Sequence, residues 1–403
     1  MQLVVIGNGI AALSAIERIR QSDQDCKITL FSQEPYHTYN RLKLSKNITE
    51  YYQVDDILVK PESWYQEKNV ECYLDTPIVH VDFSKQQVLT VEGEVFPYTH
   101  LLLANGASNN IPPIEGIDLE RVFALRTYHD AQEIRVVANN FKQILIIGGG
   151  LLGLELAWEF YKKDKQVSIV ELFPHLLPRQ LDEDSACYLE ELIIKQGVDL
   201  YLCQQIASLI GEHKLVGFTL KNDSQVYPTE VALYSTGIRP NIELYKGSAL
   251  AINRGVIVNQ HMQTNLPNVY AAGDISEYNG RIYGLWSVAR TQGQVAADNI
   301  LGRTTSFVEE AVMANIQVFD QHIISIGTVN GEAMVTAFER TNDLQTIKKL
   351  FFSNEQIQGA VLINAPKEAL LIKKAINNQV LIPRDLLDSY SSIIEYLQSY
   401  LVS

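Results

Sequence analysis

The sequence predicts an α/β protein with two parallel-sheet units and an α+β domain towards its C-terminal end. Three observations predict it. Short apolar runs alternate with helix-like stretches through the first three hundred residues, the pattern of crossover connections in a parallel sheet. One strand–turn–helix–strand phrase occurs twice, about 140 residues apart. After Gly302 the texture changes to strand-like runs joined by turn signals and followed by helices.

The first phrase opens the chain. LVVIG (3–7) is a strand, a helix pattern runs on to Arg20, and KITLF (27–31) is the second strand. Between strand and helix lies Gly7-Asn8-Gly9-Ile10-Ala11-Ala12. Its first glycine permits a tight turn, its second lets a pyrophosphate approach the backbone, and a small third residue, here Ala12, lets helix and strand pack. The helix start then offers free N–H groups and a positive dipole end to phosphates. Glu34, past the second strand, is placed to accept hydrogen bonds from a ribose; Gln33 competes for that contact, and a solvated turn carboxylate is the alternative. VLTVEGEVFPYTHLLLANGA (88–107) alternates apolar and polar residues and predicts antiparallel strands that finish in a buried one.

The second phrase is QILIIG (143–148), the helix pattern LLGLELAWEFYKK, and QVSIVE (166–171). Its run from Ile144 to Trp158 is the most apolar in the chain. It is shorter than the ~20 residues a bilayer span needs, and it carries Glu155 and the glycines of a second phosphate-binding turn, Gly148, Gly150 and Gly153. Glu171 stands 23 residues after Gly148. It would bind both ribose hydroxyls of an adenosine and repel a 2′-phosphate, so NADH is expected over NADPH, with Arg179 downstream as the opposing signal. Two such turns imply two dinucleotides, one held and one exchanged. The boundaries expected are 1–110 with 236–310 for the first unit, 111–235 for the second and 311–403 for the third. Within the last, hairpin turns are expected at Asn330-Gly331 and near Asn354.

A net charge of −14 argues against nucleic acid and anionic membrane surfaces. The N-terminus lacks a basic region and a cleavage site, so a cytoplasmic location is expected. Cys26, Cys72, Cys187 and Cys203 are far apart in sequence, without CxxC or paired zinc spacing, and most are expected to be small buried apolar residues.

Four further stretches carry a resemblance: LLLANGA (101–107), STGIRPN (235–241), VYAAGDIS (269–276) and YNRLKLSK (39–46). With the two glycine turns, they resemble the FAD-dependent pyridine-nucleotide oxidoreductases of the glutathione reductase type, and within them the NADH:rubredoxin and ferredoxin-type reductases. The resemblance covers almost the whole chain, and it implies two Rossmann-like domains, for FAD and NAD, followed by the α+β domain. It implies that Asp274 hydrogen-bonds the ribityl or phosphate end of FAD while Gly273 allows close approach. Ala104 and Gly106 match the family's ATG-containing strand end, with Asn105 in place of threonine, and Gly237 matches the segment returning from the NAD domain. Lys46 matches a lysine beside the flavin, although Leu42 stands where proline is common. Glu155 matches a carboxylate facing the same ring.

A Lys46–Glu155 ion pair near flavin N5 is therefore expected, and these two residues carry the catalytic role through electrostatics at developing charge. Arg126 resembles an arginine that approaches FAD, and Ile78 holds the position whose backbone meets adenine. Arg41 contacts the pyrophosphate or forms a surface salt bridge; Trp286 covers the flavin's acceptor side or belongs to the core. Disulfide reductases of this family carry a cysteine pair where this chain has Tyr36 to Lys46, a stretch with no cysteine. Electrons are thus expected to leave FAD directly, singly, to rubredoxin or a similar iron–sulfur protein. Lys348, Lys349, Lys373, Lys374, Arg41 and Lys43 are candidates for a basic docking patch, and His322 is expected to be structural. The alternatives are an NADH oxidase, the flavin component of a nitrite reductase system, and an NADH-sensing flavoprotein with little turnover. A monomer is expected, with a dimer left open.

Overall fold

The computed structural model describes residues 1–331, 335–340 and 345–402. The chain forms two units: residues 1–43, 51–110 and 237–308 make the first, and 44–50, 111–236 and 309–403 the second.

The first unit is built on a five-stranded parallel sheet in the order Val269–Ala271, His100–Leu103, Gln2–Ile6, Lys27–Phe31, Val70–Tyr73. Its central strand is solvent-free from Leu3 to Val5. A strand covered on both faces must be apolar at every position, which is why LVVIG reads as a continuous run and not an alternating one. The helices Ile10–Arg20 and Trp286–Ile300 pack against each other beside the sheet. The alternating stretch expected at 88–107 becomes Gln87–Thr90 and Val95–Pro97, joined with Ile78–Asp82 in an antiparallel sheet, and then the buried strand His100–Leu103. Ile238–Pro240 returns to pair antiparallel with Ala107–Asn109.

The second unit repeats the architecture. Its parallel sheet runs Asp199–Tyr201, Gln166–Val170, Gln143–Ile147, Val231–Tyr234, Val122–Phe123, with the helix Leu151–Tyr161 against it. Three antiparallel strands, Ile206–Ile210, Gly217–Leu220 and Asp223–Pro228, share a core with it. The same unit holds a five-stranded antiparallel sheet ordered Met313–Val318, Gln321–Gly327, Gln356–Ile363, Ile347–Ser353, Val335–Arg340. The helices Ala369–Asn377 and Tyr390–Val402 complete a separate core there, around Leu350, Leu362, Ile372 and Leu397.

The hairpin expected near Asn354 forms: Asn354 and Glu355 both take positive φ, 51° and 65°, between Ile347–Ser353 and Gln356–Ile363. The one expected at Asn330-Gly331 does not pair its flanking strands. Gln321–Gly327 lies beside Met313–Val318 and Gln356–Ile363, whereas Val335–Arg340 pairs with Ile347–Ser353. Residues 332–334 of that connection lie outside the described residues. Among the described residues no helix is long and apolar enough to cross a membrane.

Candidate functional site

In the first unit the turn after Gln2–Ile6 needs its glycine. Gly7 has φ +102°, and a Cβ there would stand 2.3 Å from the Ala104 carbonyl oxygen. Gly9 caps the helix Ile10–Arg20, and a Cβ on it would meet nothing within 4 Å. That helix start has no side-chain cap and no acidic residue in its first turn. Trp286–Ile300 and Ala369–Asn377 share this, but two other helices differ. Tyr128–Asn140 is closed by a capping box of Thr127 and Asp130, and Glu183–Lys195 begins with two acidic residues. Open N–H groups with no acid to neutralise the dipole suit an anion, worth roughly 0.3–1 kcal/mol per charge at an exposed helix end. Ala12 is fully buried, as the third position of the turn requires.

Around this turn the structure gathers several expected residues. The Glu34 carboxylate accepts from Tyr39 Oη at 2.6 Å and from Arg41 Nη2 at 2.5 Å. Gln33 is exposed. Burial opposes the Arg41 charge, but Tyr39, Glu34 and Asp274 outweigh it and hold its pKa above the ordinary value. Arg41 thus stands in the fields of Glu34 and Asp274, in a partly exposed ion pair with Glu34. Ala104 is buried, Ile78 opens its strand half-buried, and Gly106 accepts the Asn241 N–H at 3.0 Å. Asn105 and Asn241 exchange side-chain to carbonyl hydrogen bonds at 3.0 and 2.7 Å, and Tyr245 Oη donates to Asn105 Oδ1 at 2.8 Å. Trp286 starts its helix half-buried and stands outside the described hydrophobic cluster of its unit.

One residue here was not anticipated. Gln292, 1% exposed, accepts from the Gly273 N–H at 2.8 Å and from Ser276 Oγ at 3.1 Å. Its Nε2 is buried with no acceptor among the described residues. A buried orphan donor beside Gly273 is the feature that a ligand acceptor atom would satisfy. Its spacing from VYAAGDIS is tertiary, and the only sequence signal is a glutamine on the apolar side of a helix. With the open turn at Gly9, this donor set fits a flavin dinucleotide.

In the second unit the build is repeated. Gly148 has φ +110° and would place a Cβ 2.6 Å from Ser235 O, while a Cβ on Gly150 would meet nothing within 4 Å. Gly153 is buried, and the helix Leu151–Tyr161 again lacks a side-chain cap and an acidic first turn. Glu171 is buried, accepting from the Gly149 N–H at 2.5 Å and the Phe173 N–H at 2.8 Å. A carboxylate accepts about four hydrogen bonds, so lone pairs remain for a ribose. This turn and carboxylate fit a pyridine dinucleotide. Gly237, φ +94°, accepts from the Asn110 N–H in the first unit.

Glu155 makes its close contact with Ser45, whose Oγ donates at 2.6 Å, and not with Lys46. Lys46 is exposed and acts on Glu155 through its charge. Burial lifts the Glu155 carboxyl above its ordinary pKa, against the lowering pull of the Ser45 hydrogen bond and Lys46. The expected ion pair is corrected accordingly. Adjacent helix residues point to different sides, and the shorter Ser45 is the one turned towards Glu155. Arg126 donates its backbone N–H to Asp130 Oδ2 at 2.9 Å.

The stretch from Tyr36 to Lys46 presents Tyr39, Arg41, Lys43 and Lys46 but no thiol. Burial pushes the Cys72 thiol up to about 12. Lys43 is exposed in the first unit, whereas the four C-terminal lysines expected in a docking patch are committed within the second. Lys349 is buried against Asp182 and Asp184 at 2.6 and 3.1 Å, Lys348 faces Glu339 and Glu368, and Lys373 pairs with Glu310 at 2.8 Å. Lys374 donates to Leu401 O. His322 is a strand residue whose Nε2 lies 2.9 Å from Asn315 Oδ1.

Residues 1–293 match the family described as pyridine nucleotide-disulphide oxidoreductase, and residues 313–380 match the rubredoxin NAD+ reductase C-terminal domain. The chain is 34% identical to a nitrite reductase (NAD(P)H) of Bacillus subtilis over 91% of this chain and 46% of that one. It is 33% identical to an NADH oxidase of Methanocaldococcus jannaschii, over 76% and 71% of the two chains. The crystal structure of NADH:rubredoxin oxidoreductase from Clostridium acetobutylicum superposes with a TM-score of 0.81 at 26% identity, covering 98% of this chain and 99% of that one. The chain spans about half the length of the first curated relatives that it matches.

Proposed function

The chain belongs to the pyridine nucleotide-disulphide oxidoreductase family, and we propose that it is a FAD flavoprotein that takes hydride from NADH and passes electrons singly to a small iron–sulfur protein such as rubredoxin. The observation that carries this reading is the duplicated glycine turn, each copy opening an uncapped helix free of acid in its first turn. FAD, when bound, supplies the chemistry that converts a two-electron donor to one-electron steps. Residues 1–110 and 236–310 would hold it, with Gly7, Gly9, Arg41, Gly273, Asp274 and Gln292 as its polar and close-approach contacts. Residues 111–235 would hold NADH through Gly148, Gly150 and Glu171, and residues 311–403 would form the third domain. The match of 313–380 to a rubredoxin reductase domain supports this acceptor class.

The chain's own part is positioning and charge. Glu171 would discriminate against a 2′-phosphate. Ser45 keeps Glu155 hydrogen-bonded, and Lys46 supplies a positive field in the same unit. The cysteine-free stretch from Tyr36 to Lys46 offers no thiol to divert electrons.

The test is anaerobic. The flavin is reduced with NADH; rubredoxin, ferredoxin, nitrite and oxygen are then offered separately, and reoxidation is timed. Rapid reoxidation by the iron–sulfur proteins is expected. Slow reoxidation by oxygen alone rejects the reading. A second reading, NADH oxidase, is favoured by the 33% identical relative of that name, and fast turnover with oxygen would select it.

A further inference from the structure

The second unit holds a cluster that the nucleotide chemistry leaves unused. His175 lies on the segment after the strand Gln166–Val170, while Cys187 and Glu190 lie on the helix Glu183–Lys195. Three residues apart on one helix, Cys187 and Glu190 are neighbours on its surface. His175 Nδ1 stands 3.5 Å from Glu190 Oε1 and 4.0 Å from Cys187 Sγ, and one donor atom of each residue lies within 4.8 Å of the others. A tetrahedral zinc ion with nitrogen, sulfur and oxygen ligands separates neighbouring donors by about 3.4–3.7 Å, from bond lengths of about 2.0–2.3 Å. Closing the cluster on a metal thus takes shifts of only about 1 Å.

Three further features suit a metal. The other ring nitrogen, Nε2, faces Glu183 Oε1 at 3.8 Å. Metal-bound imidazoles are commonly oriented by a carboxylate on that far nitrogen. Glu190 is 7% exposed, and its Oε1 accepts the Leu176 N–H at 2.8 Å, which ties the histidine segment to the helix and leaves that oxygen a second lone pair for a ligand bond. The helix also carries Glu183, Asp184 and Glu191 close by in sequence. Asp184 and Glu191 have lysine partners, so it is Glu190, held by an imidazole and a backbone N–H, whose buried charge a cation would relieve.

We propose that His175 Nδ1, Cys187 Sγ and Glu190 bind one zinc(II) ion, with water in the fourth position and Glu183 orienting the imidazole. On binding, the thiol proton leaves to solvent and the thiolate takes its place in the coordination shell. Sulfur and imidazole donors select zinc or cobalt over magnesium or calcium. The metal would brace the segment that carries His175 to Leu177. That segment rests on the second glycine turn, because the Leu177 N–H donates to Gly149 O at 3.0 Å.

The experiment uses the full flavin-loaded chain, freed of metal by a chelator and titrated with cobalt(II). One equivalent should produce a thiolate-to-cobalt charge-transfer band that zinc displaces. The band should vanish in Cys187→Ser and His175→Ala, persist in Cys203→Ser, and need about 10- to 100-fold more cobalt in Glu183→Gln. The proposal is overturned by an unmodified chain that shows no band, or by a band unchanged in Cys187→Ser. Should Cys187→Ser fail to fold, a band lost in Cys203→Ser overturns it and a band retained there supports it. The readout needs neither NADH nor an acceptor, so its failure is separable from failure of the electron-transfer reading.

Discussion

Gln292 and Glu171 show how single residues divide the binding work. Gln292 is buried and holds the Gly273 N–H and Ser276 Oγ through one oxygen. Gln292→Leu leaves that buried N–H without its acceptor, a cost of about 1–3 kcal/mol. Purified Gln292→Leu should therefore show a lower flavin-to-protein absorbance ratio, with the second unit's nucleotide affinity intact. Full flavin retention would remove Gln292 from the site. Glu171 works on the other side of the division. It fastens Gly149 and Phe173 by their N–H groups while facing the second turn. Glu171→Ala should weaken NADH binding about 10-fold or more, the loss of one charge-assisted hydrogen bond of ~1.5–3 kcal/mol, without releasing flavin. Equal loss of both ligands in a binding titration would contradict the assignment.

At the scale of elements, the two glycine turns are the same device built twice, and they can be broken one at a time. Gly7 and Gly148 both combine positive φ with a backbone oxygen where a Cβ would go, at 2.3 and 2.6 Å. A non-glycine residue held there carries strain of order 1–3 kcal/mol before the clash is counted. Gly7→Ala should lose flavin; Gly148→Ala should keep its colour yet resist reduction by NADH. Loss of flavin from both variants alike, in gel filtration, would show that the turns are not independent. These turns were legible in sequence because all their information is local: an apolar strand, spaced glycines and a helix start. The pairing of the last sheet was not. Asn330-Gly331 signals a reversal, but turn chemistry does not name the partner strand. Asn330 instead donates to Pro178 O and Leu181 O at 3.0 and 2.9 Å. The tight turn at Phe319-Asp320, with φ of 50° and 60°, was hidden because it lacks glycine. Ser45 beside Glu155 is hidden in sequence for a related reason: the contact spans 110 residues, and a hydroxyl carries no charge to mark it next to a lysine.

For the whole molecule the decisive quantity is charge. The chain carries −14, and the C-terminal lysines that could have offered an acidic acceptor a local basic patch are spent on internal pairs: Lys349 on Asp182 and Asp184, Lys348 on Glu339 and Glu368, Lys373 on Glu310. Long-range approach of an acidic iron–sulfur protein is then opposed by like charge, and salt shortens the reach of that opposition from about 30 Å at 0.01 M to about 10 Å at 0.1 M. Electrostatic steering shows the reverse behaviour, a rate that falls steeply as salt is added. The second-order rate of reoxidation by rubredoxin should accordingly rise, by a few-fold, between those two ionic strengths. A steep fall would mean that a basic surface governs docking despite the net charge. Lys43 and Lys46, both exposed on the helix Leu42–Lys46, would then be the first residues to neutralise.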